Sequence, residues 1–357
     1  MLRQLARLTR PVPTVGPRAL AIAVYSDADD GLVAARESGY EGVACVDDAA
    51  RALELYCDLW NVTRLRWALR WCQGLLDFIL AMQDDEGRWG NFIVDWEGTP
   101  NTATRTSVAG GGFWQARALL ALARASRIIE DERIDVALRR GMPHVMDATV
   151  APDVRSLHIL TAVVLLSEGD DSELRGKLIV WTDELVACRD GDRLMNSLQE
   201  RGEPHLWGHL QEAALVRASP LLRRDDLIIT ASRSADLVFR RLVDSGFDQP
   251  LVQPFDVACA VYVLDALADV TGQAEYRALA MLARAWFDGR NSAQRPVYDR
   301  GAGRVGDGID GGRVSANSGA ESNIVGAQAL FSDVVVLGHR LPESEVLPVS
   351  WSTQTRR

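Results

Sequence analysis

The sequence contains few of the residues that cross-link small proteins or hold metal ions. Its 357 residues include five cysteines and five histidines. The cysteines are odd in number and none forms a CxxC pair, so we predict buried thiols and no disulfide framework. They are Cys45, Cys57, Cys72, Cys188 and Cys259. Because the histidines lack HExxH spacing, we predict no metal site and no cofactor.

Long hydrophobic runs and an excess of positive charge are also missing. After Arg3, Arg7 and Arg10, the apolar run Ala19–Val24 is too short for a secretory signal and far too short to span a bilayer. The formal net charge of −10 opposes binding to nucleic acid phosphates. We therefore predict a cytoplasmic protein that binds neither membranes nor nucleic acid. The sequence leaves the oligomeric state open.

No linker divides the chain, because Pro, Gly and Ser are scattered among apolar segments. We expect a single domain over residues 1–357, with 1–16 and 345–357 peripheral or flexible. Alternation of strand type is nearly absent, whereas apolar residues recur at helical spacing. The predicted helices cover about 47–60, 64–82, 112–125, 132–146, 154–167, 171–188, 209–218, 225–244, 255–271, 275–288 and 319–337.

These helices fall into pairs whose starts recur every 45 to 65 residues or so. Long loops alternate with short ones and cover 84–108, 190–207 and 289–318. This pattern favours an all-α (α/α)6 barrel, a toroid of six helical hairpins in which the long loops share one rim. An open solenoid is the alternative. The predicted helices make about five and a half pairs, so residues 17–39 would have to complete the sixth pair for the ring to close.

Polar residues recur in the first turns of the presumed inner helices. They are Asp47, Asp48, Trp114, His158, Trp207, His209, Glu212, Asp256 and Glu321. Each acid alone is explained as a helix cap or as a partner of the helix dipole. Their repetition in every inner helix instead predicts a polar cleft.

Aromatic residues at loops and helix starts favour a carbohydrate ligand. Trp89, Trp114, Trp207 and Tyr298 lie outside the apolar faces of the predicted helices. Sugar rings stack on such side chains while Asp, Asn, Arg and His bind their hydroxyls. Four other aromatic residues are predicted to be core residues, namely Trp60, Trp67, Trp71 and Trp286. We therefore expect an oligosaccharide or a glycoconjugate as the substrate.

Three stretches share their order and spacing with the motifs of one family. They are GVACVDDAARAL at 42–53, GRWGNF at 87–92, and PVYD at 296–299 followed by DG at 307–308 and NSGAES at 317–322. They resemble the DDNARAL, DGRFRNF and YDG…N-x-GAEST motifs of a bacterial six-hairpin glycosidase-like family, often described as glycosyltransferase-associated. The resemblance covers about 40–335 and departs from the family at Ala49 and Asn323.

The resemblance implies an α-toroid with a shared glycan site. Besides the acids, the matching positions are Asn91, Tyr298, Asp307 and Asn317. A likeness of fold does not determine which bond is cleaved. A second, weaker resemblance is to triterpene cyclases, because Gln83, Gly87 and Trp89 match their QW motif. Cys45 stands where the cyclase acid motif begins, and this departs from that motif.

Glycoside hydrolysis requires two carboxyl groups, and Asp48 and Glu321 are the predicted pair. Ring closure would make the first and last inner helices neighbours. We predict Glu321 as the acid, since Gly319 and Ala320 offer little hydration, and Asp48 as the base of an inverting enzyme. Arg51 would bind a sugar hydroxyl or lower the pKa of Asp48, or form an ordinary i, i+3 ion pair.

Three other functions stay open. A sugar epimerase or isomerase would use His158 and His209. A polysaccharide lyase would use Tyr298 as its base. A glycan-binding protein without catalysis would keep the aromatic residues but hold its acids too far apart to react.

Overall fold

A computed structural model describes residues 1–29, 31–37, 40–197, 199 and 202–348. Its α-helices in chain order are α1 Leu2–Leu8, α2 Val46–Thr63, α3 Arg66–Ala81, α4 Gly112–Ser126, α5 Glu132–Gly141, α6 Pro143–Met146, α7 Pro152–Glu168, α8 Ser172–Ala187, α9 Gln211–Leu222, α10 Asp225–Ala235, α11 Arg241–Asp244, α12 Pro254–Thr271, α13 Ala274–Arg284, α14 Ala320–Ala329, α15 Phe331–Arg340 and α16 Glu343–Val346. A π-helical turn, Asp236–Arg240, joins α10 to α11, and a 3₁₀ turn, Ala285–Asp288, follows α13.

The strands are two or three residues long and lie in the segments between helices. They are β1 Thr9–Pro11, β2 Leu20–Ile22, β3 Tyr25–Ser26, β4 Leu32–Val33, β5 Ala35–Glu37, β6 Tyr40–Gly42, β7 Ala44–Cys45, β8 Phe92–Ile93, β9 Arg189–Asp190, β10 Arg193–Leu194, β11 Leu251–Val252, β12 Tyr298–Asp299, β13 Arg304–Val305, β14 Ile309–Asp310 and β15 Arg313–Val314. They pair antiparallel, as β7 does with β8. Strands this short cannot display a period of two, which is why the sequence pattern did not reveal them.

The residue contacts group the chain into two compact units. The first comprises 1–144, 298–307 and 315–357, and the second comprises 145–297 and 308–314. The expectation of one domain remains a prediction.

In the first unit the hairpins are α2–α3, α4–α5 and α14–α15, and α2 packs against both α14 and α4. Apolar residues of α2 and α3 form much of the core. The Tyr56 ring stacks on Trp71 at 4.4 Å between centroids and meets Trp67 edge-on at 6.3 Å. Burial of such large rings is a main source of stability. Trp67 and Trp71 are thus core residues as predicted, whereas Trp60 is only half-buried.

In the second unit the hairpins are α7–α8, α9–α10 and α12–α13, and α9 packs against both α7 and α12. Its core includes Trp181, Phe239 and Trp286, all essentially inaccessible. The same arrangement therefore appears in both units: the first helix of each hairpin contacts the first helix of the next. This is the helical-hairpin organisation that the periodicity predicted.

Two expectations, one about the N-terminal segment and one about the last helix, are wrong. The N-terminal segment is not peripheral, because Leu2, Leu5 and Leu8 of α1 form a buried stripe at helical spacing. The segment available to complete the ring, residues 17–39, forms strands β2 to β5 in its described parts, 17–29 and 31–37. The predicted helix 319–337 is two helices, α14 and α15, because Leu330 leaves the helical conformation. Of the C-terminal segment 345–357, residues 349–357 lie outside the described part.

Candidate active site

Arg51 of α2 binds three carboxylates in the first unit. Its Nη2 lies 2.8 Å from Asp47 Oδ2 and 3.2 Å from Asp48 Oδ1. Its Nη1 donates to Oε1 of Glu321, which lies in the first turn of α14. The two acids predicted as a pair are therefore held by two nitrogens of a single planar guanidinium. We call these residues, together with Arg117, the Arg51 cluster.

Arg117 of α4 adds a second cation to the cluster. Its Nη1 lies 3.1 Å from Asp47 Oδ2, and its side chain is 7% exposed. Seven residues further along α4, Arg124 pairs with Glu54 at 3.0 Å and with Asp58 at 3.4 Å. Acids on α2 therefore face arginines spaced seven residues apart on α4, and this spacing fixes the register of the two helices.

The start of α2 is held by groups that orient its acids. Cys45 is the N-cap: its Sγ accepts from the Asp48 backbone N–H at 3.4 Å and donates to Asp48 Oδ2 at 3.4 Å. Asn91 Oδ1 accepts from the Asp47 backbone N–H at 3.2 Å. Asp48 is therefore not the helix cap, and its carboxyl is not needed to satisfy the first turn.

Side-chain hydrogen bonds also hold the start of α14. Asp307 Oδ1 accepts from the Gly319 N–H at 2.7 Å, and buried Asn323 donates to the Gly319 carbonyl at 2.8 Å. A Cβ on Gly319 would lie 2.7 Å from the carbonyl oxygen of Val24. Only glycine permits this approach, which accounts for its place directly before Ala320 and Glu321.

The cluster holds more negative than positive charge, and this imbalance acts on Asp48. Two guanidiniums face three carboxyls, and Asp48 is the most buried of the three, with 6% of its side chain exposed. Burial raises the pKa of Asp48 to about 7, with Glu321 and Asp47 adding to the rise against the opposing pull of Arg51. Burial lowers the pKa of Arg51, but the carboxylates Glu321, Asp47 and Asp48 together hold it well above its usual range.

Glu321 has a different environment. Its side chain is 31% exposed and is paired with Arg51. The premise that its small neighbours keep it dry is therefore wrong, because the residues next to it in sequence do not cover its carboxyl group. The poorly hydrated carboxyl of the pair is that of Asp48.

Other predicted residues of the first unit serve the scaffold. Trp89 is fully buried and donates to the Ile79 carbonyl at 2.9 Å, so it is a core residue and cannot stack on a ligand. Tyr298 is also buried, beneath the guanidinium of Arg300. Trp114 is half-buried and donates to the Val108 carbonyl at 3.1 Å. Asn317 is exposed, and its backbone carbonyl accepts a hydrogen bond from the Asp307 backbone N–H at 2.9 Å.

In the second unit the two predicted histidines, His158 and His209, are closed off from solvent. His209 and Glu212 are both fully buried, with Nε2 and Oε1 3.2 Å apart, and Ser234 donates to the same Oε1. Asn196 Oδ1 lies 3.3 Å from His209 Nδ1. We call these four residues the His209 network. Its burial opposes the prediction that His209 and Glu212 contact a substrate.

The remaining predicted residues of that unit have separate roles. His158 is buried beside Arg155, and burial followed by that charge lowers the pKa of His158 to about 3. Asp256 closes a capping box with Gln253 at the start of α12, as the helix-cap alternative expected. Trp207 is half-buried and meets Phe255 edge-on at 6.5 Å, which leaves it as a candidate for sugar contact.

Sequence reasoning missed three residues near the acids. Arg117 could have been predicted, because it precedes Arg124 by two helical turns and therefore lies on the same face of the helix. Cys45 was interpreted as an ordinary buried thiol, since cysteine is not among the usual N-caps. Tyr25 lies in a segment that the sequence did not assign to any element.

Comparison with solved structures identifies the fold. D-mannose isomerase aligns with a TM-score of 0.68 over 94% of this chain and 95% of its own, at 9% identity. The cellobiose 2-epimerase of Spirochaeta thermophila aligns with a TM-score of 0.66 over 93% of each chain, at 13% identity. A family 76 glycoside hydrolase from a bovine Bacteroides thetaiotaomicron strain gives 0.63 over 93% of this chain and 78% of its own, at 9% identity.

These likenesses show the fold: the chain is an all-α (α/α)6 toroid, as the sequence predicted. No family model and no curated protein matches the sequence. Within the described ranges, no helix is long and apolar enough to cross a membrane, and no three His, Cys, Asp or Glu side chains are grouped to hold a metal ion. In the same ranges none of the cysteines forms a disulfide.

Proposed function

We propose that this protein is a carbohydrate-active enzyme that hydrolyses a glycosidic bond, with Asp48 and Glu321 as its catalytic pair. The observation that carries the proposal is the Arg51 cluster, in which one guanidinium binds both acids while the pKa of Asp48 is raised to about 7. Carboxyl groups whose environments differ in this way are suited to opposite roles in one reaction. The motif resemblance and the sugar-converting enzymes that share this fold support the part of the proposal that makes the protein carbohydrate-active.

In this proposal Asp48 is the general acid and Glu321 the general base. A carboxyl group with a pKa of about 7 still holds its proton near neutral pH and can transfer it to a leaving oxygen. Glu321 is ion-paired and partly exposed, so it can accept a proton from an attacking water. This reverses the roles that the sequence predicted, because the desolvated carboxyl is Asp48.

Arg51 orients both acids. Its guanidinium lies between the two carboxyl groups. Inverting enzymes hold their two carboxyl groups about 6.5–9.5 Å apart and retaining ones about 5–5.5 Å apart. Inversion, as predicted from the sequence, stays the proposed stereochemical course.

Sugar isomerisation or epimerisation is the second candidate. Two carboxyl groups held by one arginine can also remove a proton from a carbon and return it. The histidines on which this alternative first rested do not support it, because His158 and His209 are buried. Deuterium uptake from D₂O into the sugar would identify this reaction, whereas hydrolysis leaves the carbon-bound hydrogens in place.

The test is a screen of aryl glycosides and oligosaccharides for released reducing sugar, with wild type, Asp48→Asn and Asp58→Asn compared on any substrate found. Asp48→Asn should lower kcat at least about 100-fold, since the amide has no acidic proton. Asp58→Asn removes an acid of the same helix that pairs with Arg124, outside the Arg51 cluster, and should retain activity. Equal activity of all three proteins would overturn the catalytic role of Asp48. Deuterium uptake without hydrolysis would replace the hydrolase proposal by the second candidate.

A further inference from the structure

Tyr25 is an aromatic residue at the surface near the proposed catalytic acids. It is 50% exposed, and no other Phe, Trp or Tyr side chain in the described residues is exposed. It lies on β3 directly opposite Val33 of β4, which is 44% exposed. Tyrosine and valine thus form a small apolar surface where an exposed strand pair would ordinarily carry polar residues.

Backbone hydrogen bonds hold this surface against the start of α14. The Val24 carbonyl accepts from the Ala320 N–H at 3.0 Å, and the Ser26 carbonyl accepts from the Ser318 N–H at 3.2 Å. Tyr25 lies between these two bonds, and its Cδ1 would be 3.5 Å from a Cβ on Gly319. Tyr25 therefore packs beside Gly319, which stands two residues before Glu321 in the chain.

The charges around the ring are negative. Burial raises the pKa of Tyr25, and Glu321, Asp48, Cys45 and Asp307 raise it further. The arginines of the cluster are both bound by carboxylates, Arg51 by three and Arg117 by Asp47. A ligand that carries its own carboxylate would be repelled by Glu321 and would compete for guanidiniums that already have partners.

We propose that Tyr25, with Val33 beside it, is the platform on which a neutral sugar ring stacks next to Glu321. The inference rests on the proposed function, whose substrate it narrows to neutral glycans and away from uronic acids. The ring contributes an apolar face of fixed orientation, and Glu321 and Asp307 face the hydroxyls at the edge of the sugar.

The experiment measures binding by isothermal titration and saturation-transfer NMR in Asp48→Asn, which slows turnover and keeps the negative charge of Glu321. The probes are cellobiose, mannobiose and xylobiose as neutral sugars, with digalacturonic acid as the charged one. A neutral sugar should bind, and adding Tyr25→Ala should weaken it at least about tenfold. Tyr25→Phe keeps the ring and should stay within about threefold. Val62→Ala, a truncation of an exposed apolar residue near the end of α2, should have no effect.

Three results would overturn the inference: equal affinity in Tyr25→Ala, tighter binding of digalacturonic acid than of the neutral sugars, or no binding of any probe. Melting temperatures check that the variants fold. Equal affinity in Tyr25→Ala alongside turnover by wild type would overturn the platform and leave the hydrolase proposal standing. If neutral sugars bind in a way that depends on the Tyr25 ring but wild type does not turn them over, the platform stands and the hydrolase proposal is overturned.

Discussion

The Arg51 cluster and the His209 network both lie at the first turn of the first helix of a hairpin, but they differ in charge balance and in access. In the His209 network one histidine faces one glutamate, with Ser234 and Asn196 as neutral partners, and all four side chains are buried. In the Arg51 cluster three carboxyls share two guanidiniums, and Glu321 is open to solvent.

We interpret this difference as one between a structural polar centre and the proposed catalytic one. The His209 network is closed to solvent and joins α9 to α10 through the hydrogen bond from Ser234 to Glu212, so it specifies local packing. In the Arg51 cluster, burial of Asp48 and the charges of Glu321 and Asp47 raise the pKa of Asp48 to about 7, so this carboxyl is partly protonated near neutral pH. Polar residues at helix starts therefore indicate function only when charge imbalance and exposure occur together.

A matched pair of substitutions tests this comparison and should have the largest effects. Glu321→Gln should lower kcat at least about 100-fold while changing stability by less than about 1 kcal/mol, because its ion pair is partly exposed. Glu212→Gln should lower the free energy of unfolding by about 2 kcal/mol or more, since its new N–H groups are buried among existing partners. Activity per folded molecule should survive in Glu212→Gln. Rate assays and urea titrations measure both, and a loss of activity without loss of stability in Glu212→Gln would erase the distinction.

The fold could be predicted from sequence further than the site could. Helical periodicity identified the hairpins, because amphipathic helices carry their pattern over many residues. It missed the break at Leu330, where neither Gly nor Pro marks the boundary, and it missed α1, whose stripe of three leucines is short.

Within the site, residue type indicated the acids but not their environments. Asp48 and Glu321 could be named from motif and position, yet their hydration depends on side chains far away in sequence. Arg51 and Glu321, for example, are 270 residues apart. Trp89 and Tyr298 lie in sequence typical of loops, yet the structure buries both of them and makes them core residues. Local sequence therefore could not assign the acid and the base.

The pH dependence of the rate discriminates between the two role assignments. If Asp48 is the acid, kcat/KM should fall as pH rises above about 7, because the group loses the proton that it must donate. A profile of initial rates from pH 4 to 10 or so measures this limb. Rates that instead increase through about pH 7 would mean that the ionised form of Asp48 is required, as the sequence first predicted.

The same group should make stability depend on pH. The pKa of Asp48 rises from 3.8 to about 7 on folding, so between these values the folded state binds the proton more tightly than the unfolded state. The contribution of Asp48 to stability is therefore greatest below pH 3.8 or so and is lost as pH rises towards about 7. Asp48→Asn removes this loss, and its melting temperature relative to wild type should increase from pH 5 to pH 8 or so. A difference independent of pH would refute the raised pKa, and Asp58→Asn serves as the control.

Cys45 offers the smallest and most specific test, because two substitutions should shift the same pKa in opposite directions. Burial, followed by the charges of Asp48 and Asp47, raises the pKa of the Cys45 thiol, which therefore stays protonated and donates to Asp48 Oδ2 at 3.4 Å. A serine hydroxyl is a stronger donor than a thiol, so Cys45→Ser should favour the Asp48 carboxylate and move the upper limb of the rate profile to lower pH. Cys45→Ala removes the donor and the N-cap; the limb should move to higher pH, and stability should fall by about 1 kcal/mol. We expect each shift to be below about one pH unit, since a single weak hydrogen bond separates the variants. Shifts in the same direction, or none, would mean that Cys45 caps α2 without tuning Asp48.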